Sequence, residues 1–445
     1  MALHWSSRRI VACALAAALV LCAVVVATSE SPASAAGGTV LFNQPFHDNT
    51  VDGPAGTASI PAAPAGTNSA CLSAAGNATK NPLASCSTST DPQGSGKLRF
   101  TSAATSLEGG VFAGTSIPTS QGLDLTFNSY QYGGGGADGL AFVLAAVDPA
   151  NPVTPSIIGQ SGGSLGYSLQ SAGQSGLADG HLGIGLDTFG NFSNKFEGSG
   201  CTDPANIAQK MPGQVVVRGP GNGTVGYCAL QSSAATATSP SLTLRAPTRA
   251  ASLVPVEVVF NPTSSSVTTA SGLVVPAGDY DVTFTPVLGT TRSLVGALPV
   301  VPSGLYPSSW VTSSGFPKQL AFGWVGSTGS VTDFHEIDNV LVTSINPVPQ
   351  LAVSPTSYAA ATLVPGSPVT YTVTASSSGA AESLPVTVTE TVPPGMLPVG
   401  ASGPGWRGGT LWGVPVHRSG TQRDLPARGP PGRHRGGAHP PVRSR

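Results

Sequence analysis

Charge is what this 445-residue chain has least of: Asp, Glu, Lys and Arg make up 9% of it, against roughly 25% in an average soluble protein. The formal net charge is −1, so no clustered basic surface is on offer to a phosphate backbone, and nucleic-acid binding is set aside. After the N-terminal segment no stretch repeats apolar residues at the helical period of 3.6. None of that later sequence is long and apolar enough to span a bilayer. A CxxC pair with histidines at ligand spacing is missing, which argues against zinc. A phosphate loop and an ordered Ser-His-Asp set are missing as well.

Turn formers are plentiful instead, with 57 Gly and 40 Pro. At 40% hydrophobic residues the chain still has enough apolar material for a packed core, so general disorder does not follow. Short strands joined by many turns do. "LDLTF" at 123–127 alternates, and "HLGIGLDTF" sets Leu182, Ile184 and Leu186 on one face. "VEVVF" (256–260), "DYDVTFTPV" (279–287), "KQLAFGWV" (318–325) and "IDNVLVTSI" (337–345) read as further strands. The expected class is all-β, a sheet-on-sheet sandwich with binding loops at one edge.

The first 35 residues read as an export signal. Arg8 and Arg9 precede the apolar run "VACALAAALVLCAVVVAT", and the small residues "ASA" at 33–35 place cleavage after Ala35. Cys13 and Cys22 leave with it, so Cys71, Cys86, Cys201 and Cys228 remain. An even number in an exported chain predicts disulfides. Counting allows three pairings; local ones, Cys71–Cys86 and Cys201–Cys228, are preferred because each pair brackets one loop-rich segment.

Two acids stand out against this apolar background. "GGGGADGLAFVL" (133–144) puts Asp138 at the head of a buried-looking strand, where an unpaired carboxylate is costly. In "GHLGIGLDTFGN" the face opposite the leucines carries Gly183, Gly185, Asp187, Phe189 and Asn191, so Asp187 and Asn191 project the same way as the strand runs out. A carboxylate, an amide oxygen and a backbone carbonyl between them are the hard ligands calcium prefers. Asp and Asn at that spacing also simply finish turns.

Residues 38–345 resemble the L-type (legume-type) lectins, with their concanavalin A-like jelly-roll sandwich. The pieces run in order: "GKLRFTSAATSLEGGVFAGTSI" (96–117), "ADGLAFVL", "GGSLGY" (162–167), "LDTFGN" (186–191) and "AFGWVGSTGSVTDFHEI" (321–337). The resemblance implies that Asp138, after a cis peptide, accepts hydrogen bonds from sugar hydroxyls. It implies a sugar-facing amide at Gly163 in the glycine loop, and an Asn191 that both ligates calcium and touches sugar. It further implies calcium ligands at Asp187, the Phe189 carbonyl, Asn191 and Asp203, with Asn194 as the competing fourth. A stacking aromatic falls at Phe192 or Phe196.

The chain departs from that pattern twice. The glutamate that shares a strand face with the metal aspartate is replaced by Gly185, and Gln214 stands near the place of the transition-metal histidine. The resemblance therefore implies calcium without manganese.

The same sandwich also hosts glycoside hydrolases. "HEIDNVL" (335–341) begins like a laminarinase-type catalytic strand with Glu336 and Asp338, but Val340 and Leu341 hold the positions for its second glutamate. Retaining hydrolysis needs two carboxylates about 5 Å apart, so a non-enzyme is expected, with His335 in a structural role.

Beyond a proline-marked linker at 346–350 the pattern changes. Residues 351–405 alternate in "VTYTVTAS" and "LPVTVTETV" and resemble part of an immunoglobulin-like repeat of bacterial surface proteins, a stalk or spacer. Residues 406–445 carry eight of the chain's 20 Lys and Arg and a single acid, Asp424. This tail reads as disordered, as a basic arm, or as a shifted reading frame. The expected protein is a secreted or cell-surface lectin-like module that binds glycans or polysaccharides. The alternative is an adhesive or structural surface protein with a degenerate sugar site. Oligomeric state is not legible.

Overall fold

The computed structural model describes residues 38–350 apart from 52–57, 65, 75–82, 89, 172, 195–196, 203–208 and 235–239, together with strand segments between 350 and 444. The export signal, Asp203, Phe196 and most of the tail lie outside the described residues.

Among the described residues two nine-stranded sheets face each other. The first runs Arg292–Ala297, Asp279–Phe284, Leu253–Phe260, Leu123–Tyr132, Phe334–Thr343 and Leu98–Thr101, then short strands at Cys71–Leu72 and Ala84–Ser85, with Val40–Gln44 also on Phe334–Thr343. The second is centred on Gly180–Asp187, Gly139–Ala146, Gln319–Ser327 and Glu108–Pro118, with Gln214–Arg218 paired to Gly180–Asp187. The expected all-β sandwich is what forms. Each strand foreseen from alternation is present, and Phe334–Thr343 carries a bulge at Asn339, where φ is +50°.

Alternation decides which side chains meet between the sheets. Leu140, Phe142 and Leu144 from one strand face Leu182, Ile184 and Leu186 from its neighbour in the same apolar cluster. Trp324 lies at its centre, 1% exposed, with Phe142 at 5.5 Å, Phe42 and Phe127 at 6.1 Å and Phe322 at 6.2 Å between ring centroids.

The second sheet is buried on its other face too. Loops fold over it and form a separate cluster around Ala141, Val143, Leu165, Tyr167, Phe192 and Tyr227. That explains why Gly139–Ala146 reads as an unbroken apolar run. Gly183 and Gly185 make room for this cover: a Cβ at 183 would sit 2.4 Å from the Tyr167 ring, and one at 185 would sit 2.4 Å from Phe192. The face that carries these glycines is packed, not open.

The first sheet turns a polar face outward instead. Arg99 and Arg249 both pair with Glu336, and Lys97 pairs with Asp338 at 2.6 Å. Both preferred disulfides form, Cys71–Cys86 and Cys201–Cys228, with Cα separations of 5.0 and 5.3 Å. Among the described residues no helix is long and apolar enough to cross a membrane.

In the C-terminal region Gln350–Ser357 pairs antiparallel with Pro368–Ser378, and Val386–Glu390 pairs with Val416–Gly420. Short strands at Gly436–Ala438 and Pro441–Ser444 also belong to this region.

The ring cluster gives a direct stability expectation. Trp324→Ala removes the largest fully buried side chain and is expected to cost about 3–5 kcal/mol. Urea denaturation of the purified protein checks it; a loss below about 1 kcal/mol would place the core elsewhere.

Candidate functional site

The site grows out of one cross-strand row of the second sheet. Glu108 stands opposite Ser327, Ser327 opposite Gly139, Gly139 opposite Asp187, and Asp187 opposite Gln214. Residues paired in this way share a face. Two positions further along the strands the row is Gly110, Val325, Ala141, Gly185 and Val216, which is apolar throughout. Polarity therefore changes within a single step, under loops that exclude water.

Asp138 enters this row from the glycine loop. The Ala137–Asp138 peptide is cis. The Asp138 amide donates to the Ser327 carbonyl at 3.0 Å, and its own carbonyl accepts from Thr188 Oγ1 at 2.9 Å and the Phe189 amide at 3.1 Å. The glycines before it allow a close approach: a Cβ at Gly134 would lie 2.1 Å from the Thr332 carbonyl oxygen. With its main chain fixed at these points, Asp138 is 4% exposed, and among the described residues its Oδ2 has no hydrogen-bond partner. Burial pushes the carboxyl up to about 6, against the opposing pull of the Gly329 backbone and the Lys210 charge.

The neighbouring loop is closed by Asp187, which is fully buried. Its two oxygens accept the Gly190 and Phe192 amides, both at 2.7 Å. Burial raises its carboxyl to about 7 despite those amides, and the nearby Asp138 charge pushes the same way. Residues 211–213 run alongside: the Met211 amide donates to the Gly190 carbonyl at 2.9 Å and the Gly213 amide to the Thr188 carbonyl at 3.2 Å. Asn191 is half-buried, and its carbonyl accepts the Asn194 amide at 3.0 Å.

Gly163 lies in the buried 3-10 turn Gly162–Ser164, and Ser327 Oγ donates to the Gly162 carbonyl at 2.8 Å. Ser327 thus holds the glycine turn with its side chain and Asp138 with its backbone. Asp138, the Gly163 turn, Asp187, Phe189 and Asn191 are brought to one end of the second sheet.

Several sequence expectations need correction or completion. Phe192 is no sugar platform. It is fully buried, packed over Gly185, with the Tyr167 ring at 6.4 Å and the Arg218 guanidinium at 5.2 Å. The other aromatic, Phe196, and the fourth ligand, Asp203, lie outside the described residues. His335 is buried in the sandwich rather than set at an edge; its Nδ1 meets Thr101 Oγ1 at 2.7 Å, and burial lowers it to about 4.

Glu336 is not placed as a free acid. It accepts Arg99 Nε at 2.7 Å, Arg249 Nη2 at 2.9 Å and the Tyr132 hydroxyl at 3.1 Å. It belongs to the first sheet, whereas Asp138 heads a strand of the second.

The residues present do not fit a transition metal. Phe192 fills the space a side chain at 185 would need. The Gln214 amide is committed to the Pro240 carbonyl at 3.0 Å and to Ser233 Oγ at 2.7 Å. Calcium is the better chemical match, since Asp187, the Phe189 carbonyl and Asn191 are hard oxygens on one loop, but both Asp187 oxygens already accept the Gly190 and Phe192 amides and share only their remaining lone pairs. Among the described residues no three His, Cys, Asp or Glu side chains converge on one point, so any such site relies on amide and carbonyl oxygens as well.

Glu108, Ser327, Thr188 and Lys210 escaped the sequence reading. Glu108 left a signal, a lone acid between "TSL" and "GGVFAG" on a strand that is otherwise apolar. The others are ordinary residues whose importance lies in which backbone they touch.

No protein-family model matches the sequence, and no curated protein matches it. Among solved structures the chain is similar to the Lotus tetragonolobus seed lectin, at 13% identity over 69% of this chain and 98% of that one, with a TM-score of 0.38. It is also similar to the VIP36 exoplasmic/lumenal domain in its Ca2+/Man-bound form, at 14% identity over 68% and 88%, with a TM-score of 0.36. A third is lectin II from Ulex europaeus, at 17% identity over 56% and 87%, with a TM-score of 0.32.

Glu108 generates a pH expectation. Among the described residues neither of its carboxylate oxygens has a hydrogen-bond partner, and burial pushes it from 4.5 up to about 8. Between those values the folded chain holds a proton that the unfolded chain has lost, so stability falls as pH rises. The contribution is fully present below about pH 4.5 and is lost as pH climbs through about 8. Denaturation midpoints from pH 5 to 9 are expected to slope down in the parent and less steeply in Glu108→Gln, where Asp138 and Asp187 still bind protons in the folded chain. Equal slopes in the two proteins would remove Glu108 as the cause.

Proposed function

We propose that the sandwich is a non-catalytic, calcium-assisted carbohydrate-binding module, with sugar hydroxyls seated on Asp138 between the Gly163 turn and Asn191. One observation carries the reading: a buried carboxylate oxygen, Asp138 Oδ2, has no hydrogen-bond partner among the described residues, and the Gly329 backbone draws on that carboxyl from nearby. Leaving such an acceptor unsatisfied costs about 1–3 kcal/mol or more. Vicinal hydroxyls of a sugar donate to a carboxylate and accept from backbone amides at the same time, which suits an acid flanked by loop main chain. Calcium on Asp187, the Phe189 carbonyl, Asn191 and Asp203 would neutralise the buried acids and fix the Asn191 loop.

Two disulfides suit an oxidising compartment, which supports export to the medium or the cell surface. Residues 351–405 would then serve as a spacer.

A second reading is favoured by Gly185 and Phe192, which replace metal-ligand geometry with apolar packing. On it the module is a structural or adhesive surface domain whose sugar site has decayed.

A glycan array followed by calorimetry, with calcium and with a chelator, separates the two. The lectin reading expects glycan binding that weakens at least roughly tenfold in chelator and in Asp138→Ala and Asn191→Ala, which is about 1.4 kcal/mol. Silence across the array in calcium, from protein with an unchanged circular dichroism spectrum, favours the structural reading.

A further inference from the structure

We propose that Lys210 makes this site select glycans bearing an anionic substituent, a carboxylate or a sulfate. The proposal rests on the carbohydrate-binding reading above and names its ligand class. The Lys210 ammonium lies 3.6 Å from the centroid of the Phe189 ring, closer than the other cation–ring contacts, which span 5.0–5.5 Å. Phe189 is a loop residue whose own amide holds the Asp138 carbonyl. The cation is therefore set beside the acid that would seat the sugar.

Its position is built rather than accidental. The next residue, Met211, donates its amide to the Gly190 carbonyl, and Gly213 donates to Thr188, so the Lys210 backbone is pinned against the loop. The Lys210 charge reaches Asp138 and draws its carboxyl down against the effect of burial.

Most cations of the sandwich are spent on carboxylates at close range. Lys97 pairs with Asp338 at 2.6 Å, Arg99 with Glu336 at 2.7 Å, Arg245 with Asp333 at 2.6 Å and Arg249 with Asp91 at 2.7 Å. Lys210 is exposed, and among the described residues it makes no ion pair within 4 Å. It rests on an aromatic face, an arrangement that keeps an ammonium in place while leaving its outer side open.

The same contact bears on Phe189. A ring covered by an ammonium on one side presents a sugar arriving there with a cation rather than an apolar plate. A neutral hexose gains little from such a neighbour. A uronate carboxylate or a sulfate ester gains a charge-assisted hydrogen bond.

The test uses the full exported chain in calcium, at low and moderate salt. Neutral oligosaccharides are compared with oligogalacturonates for the carboxylate and carrageenan fragments for the sulfate. The expected result is a preference of roughly tenfold or more for at least one anionic set, worth about one charge-assisted hydrogen bond. Lys210→Ala is expected to abolish that preference while neutral binding changes less than about twofold, and Lys210→Arg to preserve most of it. Which panel responds tells carboxylate from sulfate.

A preference for neutral sugars, or an equal loss for both classes in Lys210→Ala, overturns the proposal. The second outcome would make Lys210 an internal countercharge for Asp138. Anionic binding that survives Asp138→Ala overturns it too, since the attraction would then lie elsewhere on the surface. Silence toward every glycan overturns the carbohydrate reading itself, and this inference with it.

Discussion

A β-sheet covered on both faces has nowhere to put a polar side chain except against a partner. The second sheet of this protein is in that position: the Trp324 cluster lies beneath it and the Tyr167–Phe192 cluster above. Ser327 meets the constraint by donating to Gly162, Asp187 by closing its own loop on two amides, and Gln214 by its contacts with Pro240 and Ser233. Among the described residues Asp138 Oδ2 and both Glu108 oxygens find no hydrogen-bond partner. Asp138 stands at the head of its strand beside the Asp187 loop, where burial raises its carboxyl. Glu108 stands two strands away, where the simpler relief is a proton. The same burial thus leaves an unpartnered oxygen at one position and a strongly shifted carboxyl at another.

Much of the sandwich was legible because its signal is local. A period of two in "LDLTF" or "HLGIGLDTF" reports burial on one side without any knowledge of the partner strand. The local disulfide pairing was legible for a similar reason, each pair enclosing one short loop-rich segment. Asp138 and Asp187 were legible because acids are rare in this chain, so one at the head of an apolar strand stands out.

What was hidden depends on contacts between distant segments. Nothing within "GNFSN" says that Phe192 folds down over Gly185 and away from solvent. Nothing near Ser327 says that its hydroxyl reaches a turn 165 residues earlier. Lys210 was missed because a lone lysine has no pattern; its meaning comes from the ring beneath it. The outer face of the first sheet was half-visible. Glu336 and Asp338 stand out in "HEIDNVL", but the arginines and the lysine that hold them come from positions 87 to 241 residues away along the chain.

The packing of Phe192 over Gly185 also has an evolutionary side. Gaining a glutamate at 185 while Phe192 stays would force a carboxylate into the ring, and shrinking Phe192 while Gly185 stays would leave a hole in the cover. Either change alone lowers stability, so a side chain at 185 is accommodated only when Phe192 changes with it. The two side chains are thus coupled through one contact, and the double substitution is tolerated better than the sum of its single steps.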